Sequence, residues 1–227
     1  MSHWQQIGFI EEVKREFPRY FESTKVLEIG SLDINGSIRA FFSNADYVGI
    51  DVAEGPGVDV VCQGQEFRAE PGSFDVAISC EVMEHNPHWR ETFMNMCALT
   101  RPGGLVVMTC ATVGRPEHGT RRSEPLSSPL TVAFDWDYYE NRVADDFRPL
   151  CGAQIFSESQ FFVRPDCADL YFIGFRSGAA LPRHAYASLV KLRVKYAMRA
   201  TPALRAIDLT VSRLVARWGA PGKNDPS

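Results

Sequence analysis

Glu28, Gly30, Asp51 and two histidines, His85 and His118, have the types and spacing that could do chemistry in this 227-residue chain. Glu28 and Gly30 close the apolar run Val26-Leu27-Glu28-Ile29-Gly30, which leads into the loop Ser31-Leu32-Asp33-Ile34-Asn35-Gly36. Asp51 ends a second apolar run, Tyr47-Val48-Gly49-Ile50-Asp51, 21 residues after Gly30. A glycine at a strand-to-helix turn allows positive φ and lets the backbone approach a ligand closely. An acid about 20 residues further on is where an open α/β sheet reads ribose hydroxyls. The pair points to a nucleoside-bearing cofactor. The loop narrows the choice, because a dinucleotide site needs G-x-G-x-x-G to set a helix N-terminus on a pyrophosphate. Here Leu32 stands at the second glycine position, and Glu28 puts a carboxylate just before the first. A carboxylate there repels a pyrophosphate and suits a cationic ligand.

On these residues the sequence resembles the class I S-adenosylmethionine (SAM) methyltransferases, whose first motif reads apolar-apolar-E/D-apolar-G-x-G-x-G and whose second strand ends in an acid. Three further segments carry the resemblance. Phe74-Asp75-Val76-Ala77-Ile78-Ser79-Cys80-Glu81-Val82-Met83-Glu84-His85 looks like the family's fourth strand and the turn after it. Leu99-Thr100-Arg101-Pro102-Gly103-Gly104-Leu105 looks like its turn into the fifth strand, and Asp59-Val60-Val61-Cys62-Gln63-Gly64-Gln65 like its adenine-contacting loop. The likeness covers about residues 25–110, with the four motifs in order.

That resemblance implies SAM as cofactor. It assigns the ribose to Asp51 with Val52, the methionine moiety to Gly30, Ser31 and Leu32, and the cofactor's positive end to Glu28. Ser79, Cys80 and Glu81 should border the sulfonium. Gln63, Gly64 and Gln65 stand at the adenine, with an amide where many relatives carry aspartate; an amide can still bond the ring edge. The loop lacks the family's middle glycine, so Asn35-Gly36 is expected to supply the special backbone geometry.

Residues 111–135 form a long stretch with few regular signals after the fifth strand, and loops of this length in compact domains are commonly functional lids. It carries Arg115, His118, Arg121 and Arg122. His118, or His85, is the candidate base for an acceptor hydroxyl, and the arginines are candidates to grip an anionic or sugar-like acceptor. The bland alternative is a solvated basic loop. Glu81, Glu84 and His85, with His118, also offer carboxylates and imidazoles to a divalent ion; ubiquinone-pathway and small-RNA methyltransferases show similar E-x-x-E-H patterns. Spacing alone does not establish convergence, so a metal is not favoured and no metal ligand is assigned.

These side chains need a scaffold, and the pattern supplies one. A helix is expected over 3–16 with Trp4, Ile7, Ile10 and Val13-Phe17 as its apolar stripe, ended by Pro18. Strands fall near 25–30, 46–51, 58–62, 74–79 and 104–110, with helices between them, notably 88–100. A helix near 136–147 precedes a hairpin of 153–162 and 168–176. The fold class is therefore α/β: a Rossmann-like seven-stranded, mostly parallel sheet flanked by helices, with a basic helical C-terminal appendage. Residues 1–180 form the SAM-binding domain and 181–227 the tail. The tail holds nine Lys or Arg against two Asp, while the chain as a whole carries a net charge of −4, so the first 180 residues are acidic. Within the tail, 188–199 and 203–218 show apolar and basic residues at helical spacing, and 221–227 should fray. Docking on the acidic domain is the favoured reading; peripheral membrane contact and a homodimer are the alternatives.

Composition is that of an ordinary globular chain, 45% hydrophobic and 23% charged. Six cysteines without C-x-x-C spacing read as reduced core residues of a cytoplasmic protein. Neither a signal peptide nor an apolar stretch of membrane-spanning length is expected. The functional expectation is methyl transfer to a small polar acceptor, an O-methylation of a sugar, glycan precursor or similar metabolite. Two other classes compete. An RNA methyltransferase needs a positive surface that the acidic domain lacks, and a non-catalytic SAM-fold scaffold would have no need of intact Glu28, Gly30 and Asp51.

Overall fold

The computed structural model describes residues 3–200. Its centre is a sheet of seven strands: β1 (Lys25–Ile29), β2 (Asp46–Asp51), β3 (Val60–Val61), β4 (Phe74–Cys80), β5 (Thr100–Ala111), β6 (Phe156–Arg164) and β7 (Asp169–Arg176). The order is β3-β2-β1-β4-β5-β7-β6. The first five strands are parallel, and the β6–β7 hairpin adds antiparallel on β5. Direction of winding reverses between β1 and β4, which opens a crevice at their C-terminal ends.

Alternation along the strands builds two cores. Val26, Val76, Ile78, Leu105, Val107 and Ile173 face a layer made by α1 (Trp4–Glu16) and α5 (Ala185–Ala200). Leu27, Ile29, Ala77, Val106, Met108 and Phe172 face α2 (Trp89–Leu99). This period of two, buried on both faces, is what a parallel sheet covered by helices requires. Two short helices, α3 (Pro129–Ala133) and α4 (Ala144–Phe147), lie between β5 and β6.

Several expectations are corrected. The α1 stripe is Phe9, Ile10 and Val13, while Trp4 is 70% exposed and lies under the Arg164 guanidinium, 5.2 Å from its ring centroid. The β1–β2 crossover holds a single 3₁₀ turn, Ile38–Phe41, and the chain from β3 to β4 has no helix; only the β4–β5 crossover carries a full one. The helix expected over 136–147 shrinks to Ala144–Phe147. Its first half is captured by other partners: Glu140 N–H donates to the Glu84 carbonyl (2.9 Å), Arg142 N–H to the Ala111 carbonyl (2.9 Å), and the Asn141 amide to the Arg115 carbonyl (2.9 Å).

Helix α5 packs its Leu189, Leu192 and Tyr196 into the same core as Phe9 and Phe162. Lys195 pairs with Glu12 at 2.7 Å and Lys191 with Glu16 at 3.5 Å. The expected 203–218 helix and the 221–227 end lie outside the described residues. Among the described residues, no helix is long and apolar enough to cross a membrane.

Candidate functional site

A cleft opens where β1, β2 and β4 end. Glu28, Gly30, Ser31, Leu32 and Gly36 line it from the β1 turn, Asp51 from β2, and Cys80, Glu81 and His85 from β4 and the turn after it. Residues 127–131, from the segment after β5, roof it. The long loop therefore overhangs the cleft.

Backbone geometry sets the floor. Gly30 sits at φ +81°, and its N–H donates to the Ile50 carbonyl at 2.9 Å, tying the turn to β2. A Cβ there would lie 2.1 Å from Val82 Cγ2, so only glycine fits between the two strand-end turns. Leu32 N–H and Val52 N–H donate to the Asp51 carboxylate at 3.1 and 2.8 Å. Burial raises the Asp51 pKa while these two amides work to lower it. A carboxylate has about four lone-pair sites, so Asp51 keeps acceptor capacity for ligand hydroxyls.

Glu28 is buried and accepts a hydrogen bond from the Tyr47 hydroxyl at 2.9 Å. Burial pushes its carboxyl up to about 7, against the lowering effect of that bond. It can take up or release a proton near neutrality as a cation arrives. Glu81, at φ +58°, holds a left-handed backbone that non-glycine residues seldom adopt, a local strain at the cleft rim.

Beyond the cleft, the turn after β4 and the overhanging loop bring two imidazoles together. The His85 and His118 rings meet edge-on at 4.9 Å, and Tyr139 packs on both, at 5.4 and 4.9 Å. His118 Nδ1 lies 3.0 Å from the Pro116 carbonyl, which can only accept. Nδ1 therefore carries the hydrogen and Nε2 keeps its lone pair. Burial lowers the pKa of both rings: that of His118 against its Pro116 bond, that of His85 to about 3 with help from His118. Burial thus favours the neutral form of both rings, and it leaves His85 a weak base. A second cavity, lined by His3, Arg115, Glu117, His118, Glu124 and Ser127, adjoins the cleft through Ser127.

The four candidate metal donors of the sequence divide. Glu84, His85 and His118 bring one donor atom each within 4.8 Å of one another. Both His85 nitrogens and Glu84 Oε2 are buried without a hydrogen-bond partner. Two imidazoles and a carboxylate are a set that a divalent ion accepts. Glu81 turns the other way, its carboxylate 3.5 Å from His3 Nε2, which also lies 3.3 Å from Asp169. Burial works to raise Glu81, and the hydrogen bond and charge of His3 more than offset it, so its pKa falls. Burial and the Glu81 charge raise that of Glu84.

Other sequence expectations land elsewhere. Gln63 and Gln65 bond each other at 2.8 Å and turn to Glu66 and Thr92, while Cys62 and Gly64 are the residues of that loop that line the cavity wall. Ser79 is fully buried behind the cleft, its hydroxyl without a partner. Arg121 is held by Asp135 and Arg122 by Glu117 and Asp137, so neither points at an acceptor; Arg115 is held by Asp169 at 3.0 Å. His3, Tyr139, Asp169 and Trp136 are at the site and were not anticipated. Only a three-dimensional fold brings His3 and Asp169 beside Glu81; no local pattern marks them.

Comparisons with known proteins agree with this fold. The profile of a family described as Methyltransferase domain matches residues 1–123. A ubiquinone biosynthesis O-methyltransferase from Maricaulis maris (strain MCS10) is 38% identical over 82 residues, 35% of this chain. The matched stretch spans only 29% of that relative's length. Among solved structures, phosphoethanolamine N-methyltransferase 2 of Haemonchus contortus in complex with S-adenosyl-L-methionine superposes with a TM-score of 0.55 at 16% identity. The overlap covers 77% of this chain and 53% of that one. The 1,6-didemethyltoxoflavin-N1-methyltransferase of Burkholderia thailandensis, with 1,6-didemethyltoxoflavin and S-adenosylhomocysteine bound, gives 0.52 at 16%, covering 76% and 80% of the two chains. At these identities the structural likeness is one of fold.

Proposed function

Since this chain belongs to the methyltransferase-domain family and has its seven-stranded class I fold, we propose that it transfers the methyl group of SAM to a hydroxyl of a small polar acceptor. The observation that carries this reading is the junction of the two cavities. Asp51 and the Gly30 turn hold a nucleoside-sized cleft, and His85 and His118 stand where that cleft meets the polar cavity beyond it.

The sulfonium methyl would be attacked in line by the acceptor oxygen, with the new C–O bond forming as the S–C bond breaks and S-adenosylhomocysteine leaving. Alignment of the two reactants is the main source of rate, an effect worth roughly 7–11 kcal/mol in well-oriented systems. Asp51 takes the ribose hydroxyls and Glu28 the cofactor's positive end. His118 Nε2 receives the acceptor proton, and His85, which burial holds far below neutrality, is the weaker candidate. The polar cavity on the His118 side, with His3, Arg115, Glu117 and Glu124 on its wall, suits a polyhydroxylated acceptor such as a sugar or glycan precursor.

Incubation of the full chain with methyl-labelled SAM and a panel of sugars, polyols and phenols tests this. Acceptor-dependent label transfer is expected for at least one hydroxyl compound. Transfer to amines or to RNA in preference would contradict the acceptor class.

A further inference from the structure

The stretch of chain after β5 walls the cofactor cleft twice. Residues 127–131 face Glu28, Glu81 and His85, the polar end. Further along, Thr131 and Trp136 line a contiguous narrow slot that shares Gly30, Asp51 and Val82 with the first. The two ends differ in chemistry. The first is lined by carboxylates, a histidine and serines, fit for a charged amino-acid moiety. The second is lined mainly by Ile29, Val52, Cys62, Val82 and Trp136, with Asn86 and Thr131 adding polar groups. Asp51 stands on the wall of both.

Trp136 is held in that position by backbone and rings. Asp135, at φ +68°, reverses the chain after α3, and Trp136 N–H donates to the Thr131 carbonyl at 2.8 Å. Phe134 meets the indole edge-on at 5.3 Å and His88 packs at 5.7 Å. Trp136 itself is half-buried and lines that cavity. A large aromatic residue left over an apolar slot beside a ribose-reading carboxylate is a stacking platform in waiting, because a purine presents a flat π-face to it.

We propose that Trp136 forms the outer wall of the purine subsite, which makes the segment after β5 part of the cofactor site as well as the roof of the acceptor cavity. The proposal rests on the reading of the cleft as a SAM site. The purine packs between Val52 and Cys62 on one side and the indole on the other, with its ribose on Asp51. The same segment carries His118 and Glu124 into the acceptor cavity.

Calorimetric titration of S-adenosylhomocysteine and of adenosine into the full chain tests it, with W136A, W136L and W136F compared against wild type. W136A and W136L are expected to weaken both ligands by about 5- to 100-fold, the range that loss of a base–aromatic stack produces. W136F should stay within about threefold, since it keeps an aromatic face. Thermal melting without ligand should be unchanged in W136L, whose bulk fills the same position. Quenching of tryptophan emission by S-adenosylhomocysteine in wild type should be lost in W136F. Wild-type affinity in W136L would overturn the proposal while leaving the SAM reading intact. Failure of wild type to bind S-adenosylhomocysteine would overturn the SAM reading itself and the proposal with it.

Discussion

The cofactor half and the acceptor half of this site are held by different kinds of structure. Glu28, Gly30 and Asp51 stand on the ends of strands, in register with their neighbours: Glu28 is opposite Gly49 in one partner strand and Ile78 in the other. Their positions are fixed by the sheet. His118, Arg115 and Trp136 stand on a long connection held internally by local turns and by largely exposed ion pairs, Arg121 with Asp135 and Arg122 with Glu117 and Asp137. Such pairs are worth about 0–1 kcal/mol each. The connection is anchored instead at a few buried points: His118, Arg115 on Asp169, and Arg142 over the Trp89 ring at 4.9 Å. A rigid half binds a constant ligand, and a loop-borne half can be reshaped for a particular acceptor without disturbing the sheet.

If the two halves are separable, damage to one should leave the other's readout intact. The largest effect is expected at His118. H118N should lower kcat by about 10²- to 10⁴-fold, the usual contribution of a general base, with S-adenosylhomocysteine affinity unchanged by calorimetry. Parallel loss of affinity would mean that the halves are not distinct. Next is Gly30, where a side chain meets both a positive φ and Val82. G30A should lower the stability of the fold by about 1–3 kcal/mol, the cost of holding a non-glycine residue in such a region before any clash, and should weaken S-adenosylhomocysteine by pushing the turn away from Val82; unchanged stability and affinity would show that the turn has room. The smallest effect concerns Glu28. Its folded pKa, about 7, lies above its unfolded value. The stability it contributes is thus present at low pH and lost as pH rises through about 7. Ligand binding runs the other way, because a cationic cofactor favours the ionised carboxylate. SAM affinity should rise by up to about tenfold between about pH 6 and about pH 8, and E28Q should flatten that rise. A rise that persists in E28Q would assign it to another group.

The same division explains what could be read in advance. The cofactor half was legible because its signals are local: an apolar run, an acid, a glycine, then a second run ending in Asp51. Apolar runs placed all seven strands, with β3 shorter and β5 longer than expected and β6 shifted toward its hairpin turn. The acceptor half was not legible in the same way. His118 was flagged by its place after the fifth strand, but Trp136 and Tyr139 were assigned to a helix that long-range backbone hydrogen bonds prevent. Arg121 and Arg122 looked free in sequence, and only the fold shows that acids of the same loop neutralise them. His3 meets Glu81 and Asp169 because α1 caps its N-terminus beside the ends of β4 and β7, a contact with no local signature.

The most direct test of the account is a calorimetric titration of S-adenosylhomocysteine into wild type and D51A. The account predicts micromolar binding to wild type and a loss of about 10- to 100-fold in D51A, since a hydrogen bond to a charged group contributes about 1.5–3 kcal/mol. No binding to folded wild-type protein, or equal binding to both, would contradict it.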